Sequence, residues 1–150
     1  RLILADAITY AIQEEKAGRV VDIATLTGAC ANTLGHLTAG LVSNSDELCG
    51  QLLSSAQKTG EQYWRFPTFP EYKKMIESPV ADLSNQSNDG CGAITAGMFL
   101  MEFAGDTPWV HVDIAGTAWT DQARREYQTV GATGAGVTTL YQLCADLADN

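Results

Sequence analysis

The sequence predicts an α/β fold of three layers, in which a mixed, largely parallel β-sheet is flanked by helices. Three observations carry that expectation. Val20-Val21-Asp22-Ile23-Ala24 opens a short β-branched run that stops at Thr27-Gly28, too brief for a typical helix and apolar enough for a strand buried on both faces. Late in the chain, Val112-Asp113-Ile114-Ala115 repeats Val21-Asp22-Ile23-Ala24 and likewise runs into Gly116-Thr117-Ala118. Around these two runs, helical spacing alternates with short apolar segments, the pattern of βα units. The related strands are expected to lie parallel in one sheet, with Gly28 and Gly116 at the same edge. Ligands of open α/β sheets gather outside the carboxyl ends of the strands, so that edge is where a pocket belongs.

Leu4, Ile8, Ala11 and Ile12 follow helical spacing, and Ala17-Gly18 ends the element. A strand over Val20–Leu26 is followed by a short helix from about Ala29 to Leu34, and Ala39–Ser43 is a second buried strand. Asn44, with Glu47 three residues later, reads as a helix start, and Leu48, Leu52 and Ala56 form its buried stripe up to Gly60. These two βα steps favour parallel strands joined by helix crossovers. Tyr63–Pro70 alternates aromatics with prolines and suits an ordered covering loop; Glu71–Ile76 makes a helical turn or two before Ser78-Pro79. Ala93–Phe103 is apolar nearly all round and therefore a buried helix. Trp109–Ala115 is the repeated strand, and Thr120–Tyr127, with Asp121, Arg124, Arg125 and Glu126, is a solvated loop. Gly131, Gly134 and Gly136 lead into a last amphipathic helix, with Val137, Leu140, Cys144 and Leu147 on its buried face.

The 150 residues form one domain, long enough to bury a core. A hydrophobic content of 45% with 18% charged residues is that of a globular protein, and no apolar run could span a membrane. The net charge of −9 argues against nucleic acid or an anionic membrane as partner, because phosphate binding needs clustered Lys and Arg. Cys30, Cys49, Cys91 and Cys144 show no zinc-ribbon spacing and are expected as reduced, mostly buried thiols in a cytoplasmic protein. Arg1 is not Met and the chain opens inside a helical pattern, so it reads as the downstream part of something longer.

Chemistry is less legible than fold. His36 and His111 form no HExxH pair, and His111, between Val110 and Val112, reads as a core histidine. Asp22 and Asp113 each sit inside an apolar strand, where a carboxylate needs partners. They either bind metal or accept backbone hydrogen bonds from neighbouring loops, and their distance from the strand ends favours the second. Ala81–Gly90 offers oxygen ligands, including Asn85, Ser87, Asn88 and Asp89, but Ala96 stands where a calcium loop has Glu. Thr27-Gly28-Ala29 could cradle a phosphate, but it lacks P-loop spacing and a lysine.

Four motifs in order add a resemblance: Asp22–Ala29, Ala81–Asn85, Gly92–Ala96 and Asp113–Trp119, with Thr133–Val137 as a last glycine-rich turn. Together they resemble the leucine aminopeptidase (cytosol aminopeptidase) family, and Arg1–Ala7 resembles the tail of its Asn-Thr-Asp-Ala-Glu-Gly-Arg signature. The resemblance implies that 1–150 is the C-terminal portion of a catalytic domain from a two-metal exopeptidase, which releases N-terminal residues, leucine-like ones among them, from peptide substrates. It assigns Arg1 to the catalytic set, holding a bicarbonate that acts as general base. It assigns Leu26 and Gly28 to the substrate backbone, through a carbonyl and an N–H, and Thr25, Ala115 and Ala118 to the pocket for the N-terminal side chain. The ligands of the two divalent ions, zinc or manganese, all fall upstream of Arg1, so this chain is expected to hold none and to be inactive alone. A homo-hexamer is implied. Thr138 stands where the family usually has Arg, and Cys91 where an Arg is common. The resemblance also leaves open a non-catalytic relative serving as scaffold or assembly subunit.

Overall fold

A computed structural model describes residues 1–87, 89–123 and 126–148; Asn88, Arg124 and Arg125, named above in two loops, lie outside them. In chain order the elements are α1 (Leu2–Gln13), β1 (Val20–Ala24), α2 (Gly28–Leu34), β2 (Thr38–Ser43), α3 (Asp46–Thr59), β3 (Gln62–Arg65) and α4 (Pro70–Lys73), the last prolonged by a 3-10 turn at Lys74–Ile76. Then come α5 (Gly92–Ala104), β4 (Trp109–Asp113), β5 (Trp119–Thr120), β6 (Gly131–Ala132) and α6 (Val137–Ala148).

Four strands form the main sheet in the order β1-β4-β2-β3, and β5 and β6 pair separately. β1 and β4 are parallel, with Val20 opposite Trp109 and Ala24 opposite Asp113. The expected pairing of the two related strands therefore holds, and both end at the same edge. β2 and β3 are also parallel, but β2 runs antiparallel to β4. The first βα step is thus not a crossover. Seven residues of α2 span only about 10 Å, less than the roughly 16 Å of a five-residue strand, so the chain re-enters the sheet at the edge it left. The fourteen residues of α3, about 21 Å long, do make the return, and β2–α3–β3 is a true crossover unit.

Alternate strand residues face opposite layers. Val42 and Trp109 pack with Ala5, Ile8, Phe99 and Leu100 of α1 and α5; Leu41, Val110 and Val112 pack with Leu48 and Leu52 of α3 and Leu143 of α6. That is the expected three-layer arrangement. α5 is buried along most of its length, from Ala93 to Ala104, and Gly97 admits it, since a Cβ there would stand 2.5 Å from Val42.

Five local expectations change. Ser45, not Asn44, caps α3 by accepting from Leu48 N–H at 3.2 Å. Asn44 instead ties the end of β2 to the α5–β4 connection, donating to the Gly105 and Thr107 carbonyls and accepting from Trp109 N–H. Part of the aromatic covering segment is the edge strand β3, and Thr120, placed in a solvated loop, is buried and pairs with Gly131. On α6 the buried residues are Thr139 and Leu143, while Val137 and Cys144 are exposed. Glu61 turns the helix, accepting from the Gly136 and Thr139 N–H groups and the Thr139 hydroxyl. Two of the four cysteines, Cys91 and Cys144, are exposed rather than buried.

Candidate active site

β1 ends at Ala24 and β4 at Asp113, directly opposite one another. The Ile114 N–H continues the ladder by one bond to the Ala24 carbonyl at 2.9 Å. Beyond it the two chains diverge as loops, and the Asp113 side chain, 3% exposed, fills the fork. Its Oδ1 accepts from Leu26 N–H at 3.1 Å, Thr27 N–H at 3.4 Å and Ala115 N–H at 3.1 Å. Its Oδ2 accepts from the Thr27 hydroxyl at 2.7 Å. The backbone-bracing role expected of Asp113 is what the geometry shows. Asp22 differs: its partners are side chains, the Trp109 indole at 2.7 Å and His111 Nδ1 at 2.6 Å.

Thr27 joins this arrangement to a helix. Its hydroxyl oxygen also accepts from Cys30 N–H at 3.0 Å and so caps α2. Gly28 is the first residue of α2, where an N–H has no acceptor within the helix. A Cβ at Gly28 would meet no atom within 4 Å, and its φ is not positive. Neither packing nor backbone conformation demands glycine there, and the space beside it is open. Gly116 is the opposite case, since a Cβ would overlap the Gly35 carbonyl oxygen. That contact sets the end of α2 against the loop after β4, with His36 Nδ1 3.0 Å from the Gly116 carbonyl.

The loop after β4 is a tight turn in which Thr117 and Ala118 N–H groups both reach the Ile114 carbonyl. Ala115 and Ala118 are half-buried and Thr25 is exposed, so small side chains line the mouth of the fork. Arg1, the residue capping α1, is half-buried, and its Nε has no hydrogen-bond partner. Burial lowers the pKa of its guanidinium, and the Asp113 charge works against that shift. The fork thus gathers Leu26, Thr27, Gly28 and Ala115 around Asp113, with Ala118 tied in through Ile114 and Arg1 within its field.

Cys30 is no nucleophile here. Burial, then the Asp113 charge, push its thiol up to about 11, so it remains protonated at neutral pH. A metal pair does not fit either. Among the described residues no group of three or more His, Cys, Asp or Glu side chains could hold an ion. The Asp113 carboxylate is ringed by N–H and O–H donors that point at its lone pairs, where a cation would have to sit.

A cavity of about 290 Å³ opens beside the fork, at the start of β2 and β3. His36, Glu61, Tyr63, Thr117, Thr133 and Thr138 are among its lining residues. None of Arg1, Thr25, Leu26, Gly28, Ala115 and Ala118 lines it; it touches the fork only through Thr117 and His36. Nothing in the spacing of the sequence marks Glu61, whose partners at the start of α6 lie 75 and 78 residues away. Thr27 could have been found, since a threonine before the first residue of a helix is a capping signal.

A family model described as the cytosol aminopeptidase family, catalytic domain, matches residues 1–141. The chain is 51% identical over 143 residues to a probable cytosol aminopeptidase of Alkaliphilus oremlandii, covering 95% of this chain and 28% of that protein. It is 47% identical to the probable cytosol aminopeptidase of Clostridium perfringens, covering 95% of this chain and 29% of that one. Among solved structures, a tomato leucine aminopeptidase mutant superposes with a TM-score of 0.86 at 37% identity, over 95% of this chain and 27% of the other. The bottromycin maturation enzyme BotP in complex with Mn gives 0.93 at 33% identity, over 98% and 33%. The chain therefore spans less than a third of the curated relatives named here.

Proposed function

The chain belongs to the cytosol aminopeptidase family, and from that premise we propose that it supplies the substrate-holding half of an active site in an exopeptidase that releases N-terminal residues from peptides. The observation that carries this reading is the fork at the ends of β1 and β4. It presents backbone groups and small side chains, held by a buried carboxylate, around open space at Gly28.

The Leu26 carbonyl and the Gly28 N–H form one acceptor and one donor, the pair a peptide backbone needs. Thr25, Ala115 and Ala118 leave room for an apolar N-terminal side chain such as leucine. Arg1 offers a guanidinium with an unpartnered Nε, which suits a small planar anion such as bicarbonate held as general base. Two divalent ions, zinc or manganese, would supply Lewis acidity and an activated water when bound. The carboxylates described here do not accommodate them, so their ligands are assigned to residues outside this chain. The Mn complex of BotP supports a divalent metal in a similar fold. We expect a cytoplasmic hexamer acting on peptides. Among the described residues no helix is long and apolar enough to cross a membrane.

The test is release of leucine from a Leu-Gly dipeptide and from its N-acetylated form by the full-length protein, with and without Mn²⁺ or Zn²⁺. Metal-dependent cleavage of the free amine alone is the expected result. No cleavage under any metal would leave the non-catalytic scaffold as the reading. The 150-residue chain by itself should be inactive.

A further inference from the structure

We propose that Asp113 is the positioning residue that aims both substrate-holding groups and locks the two loops of the fork into one unit; this rests on the exopeptidase reading above. Peptide geometry aims the first group. Each peptide unit is planar, and the chain has no cis bond, so the carbonyl of residue 26 points opposite to the N–H of residue 27. That N–H is turned onto Asp113 Oδ1. The Leu26 carbonyl is therefore driven away from the buried carboxylate and out toward the opening.

The second group is aimed through Thr27. Its hydroxyl donates to Asp113 Oδ2 and accepts from Cys30 N–H, so the first turn of α2 is oriented by the same carboxylate. The Gly28 N–H belongs to that turn. On the other side of the fork, Ala115 N–H shares Oδ1 with Leu26 and Thr27. One buried side chain thus holds donors from both loops, and neither loop can shift without breaking a charge-assisted bond. Asp113 touches no substrate atom in this scheme. It acts through Leu26, Gly28 and Ala115.

Three variants of the full-length protein separate the possibilities: Asp113→Asn, Asp113→Ala and Thr27→Val, with Thr27→Ser as the conservative control. Asparagine keeps an acceptor for the three N–H groups, so kcat/KM on Leu-Gly should fall no more than ~10-fold. Alanine frees both loops, and kcat/KM should fall ~100-fold or more, with KM raised, because misplacement by about 1 Å is enough for that loss. Thr27→Val should raise KM and Thr27→Ser should restore it. Hydrogen exchange by mass spectrometry gives a readout independent of activity. In Asp113→Ala, segments 24–30 and 114–118 should both exchange faster while 38–43 stays as in the wild type. Unchanged KM in every variant, or faster exchange in one segment only, overturns the proposal. If the wild type cleaves no peptide, the exopeptidase reading falls by itself, and joint or separate exchange of the two segments still decides whether Asp113 locks the fork.

Discussion

Asp22 and His111 face each other across the β1–β4 ladder, Oδ1 2.6 Å from Nδ1, with the Trp109 indole on the other carboxylate oxygen at 2.7 Å. His111 is 1% exposed and its Nε2 has no partner. The cluster therefore stands or falls on Asp22, which alone satisfies two buried donors.

Asp22→Ala should accordingly destabilise the protein by about 2–4 kcal/mol, the cost of stranding two polar groups in an apolar layer. Asp22→Asn keeps one acceptor and should cost about half as much. Urea midpoints measure both. A loss below about 0.5 kcal/mol for Asp22→Ala would mean that water reaches the cluster.

Gly28 and Gly116 allow a paired test, because the same substitution should act on different quantities. Gly28→Ala meets nothing within 4 Å, so thermal stability should be unchanged while kcat/KM falls ~100-fold as a methyl group enters the substrate path. Gly116→Ala runs into the Gly35 carbonyl and should destabilise by about 1–3 kcal/mol, the cost of overpacking. Full activity in Gly28→Ala would remove Gly28 from substrate binding.

The strands over Val20 and Trp109 were legible because a β-branched run with an internal repeat has one sensible reading, and Asp113 because a carboxylate in such a run must find donors. Asp22 was legible only as needing partners; which ones depended on register, since His111 falls opposite it through strand pairing alone. The reversal of β2 could be judged only from the length of α2. Hydropathy alone puts Val137 and Cys144 on the inner face of α6, whereas Glu61, distant in sequence, holds Thr139 inward and leaves those two exposed. Arg1 could be placed at the site only by resemblance, since nothing in its spacing points there.

Glu61 makes stability pH-dependent in a definite direction. Burial pushes its pKa up, but hydrogen bonds from the Thr139 hydroxyl, the Gly136 and Thr139 N–H groups and the Thr138 hydroxyl outweigh that and hold it below 4.5. A depressed folded-state pKa stabilises fully above the unfolded value and loses that contribution as pH falls through the folded one. Glu61→Gln should therefore cost about 1 kcal/mol at pH 7, the scale of a lost helix cap in a partly solvated site. The gap between variant and wild type should shrink below pH 4.5. Thermal unfolding at pH 7 and at pH 3.5 checks this, and a gap that widens in acid would reverse the assignment.

Arg1 is the residue to which the proposed function gives an anion to hold. Its guanidinium is half-buried, its Nε has no partner, and burial depresses its pKa despite the Asp113 charge. A desolvated cation held without full hydrogen bonding is costly for folding and useful for binding an anion. In the full-length protein, Arg1→Ala should lower kcat by ~10²–10³, as when one preorganised electrostatic group is removed. Arg1→Lys should recover little, because the forked donors are lost while the charge is kept. Added bicarbonate should raise the wild-type rate and leave Arg1→Ala unmoved. Bound metal, measured alongside, should stay the same in both variants, since no ligand is assigned to this position. Loss of metal would trace the defect to a collapsed site, whereas wild-type kcat in Arg1→Ala would reduce Arg1 to the capping residue of α1.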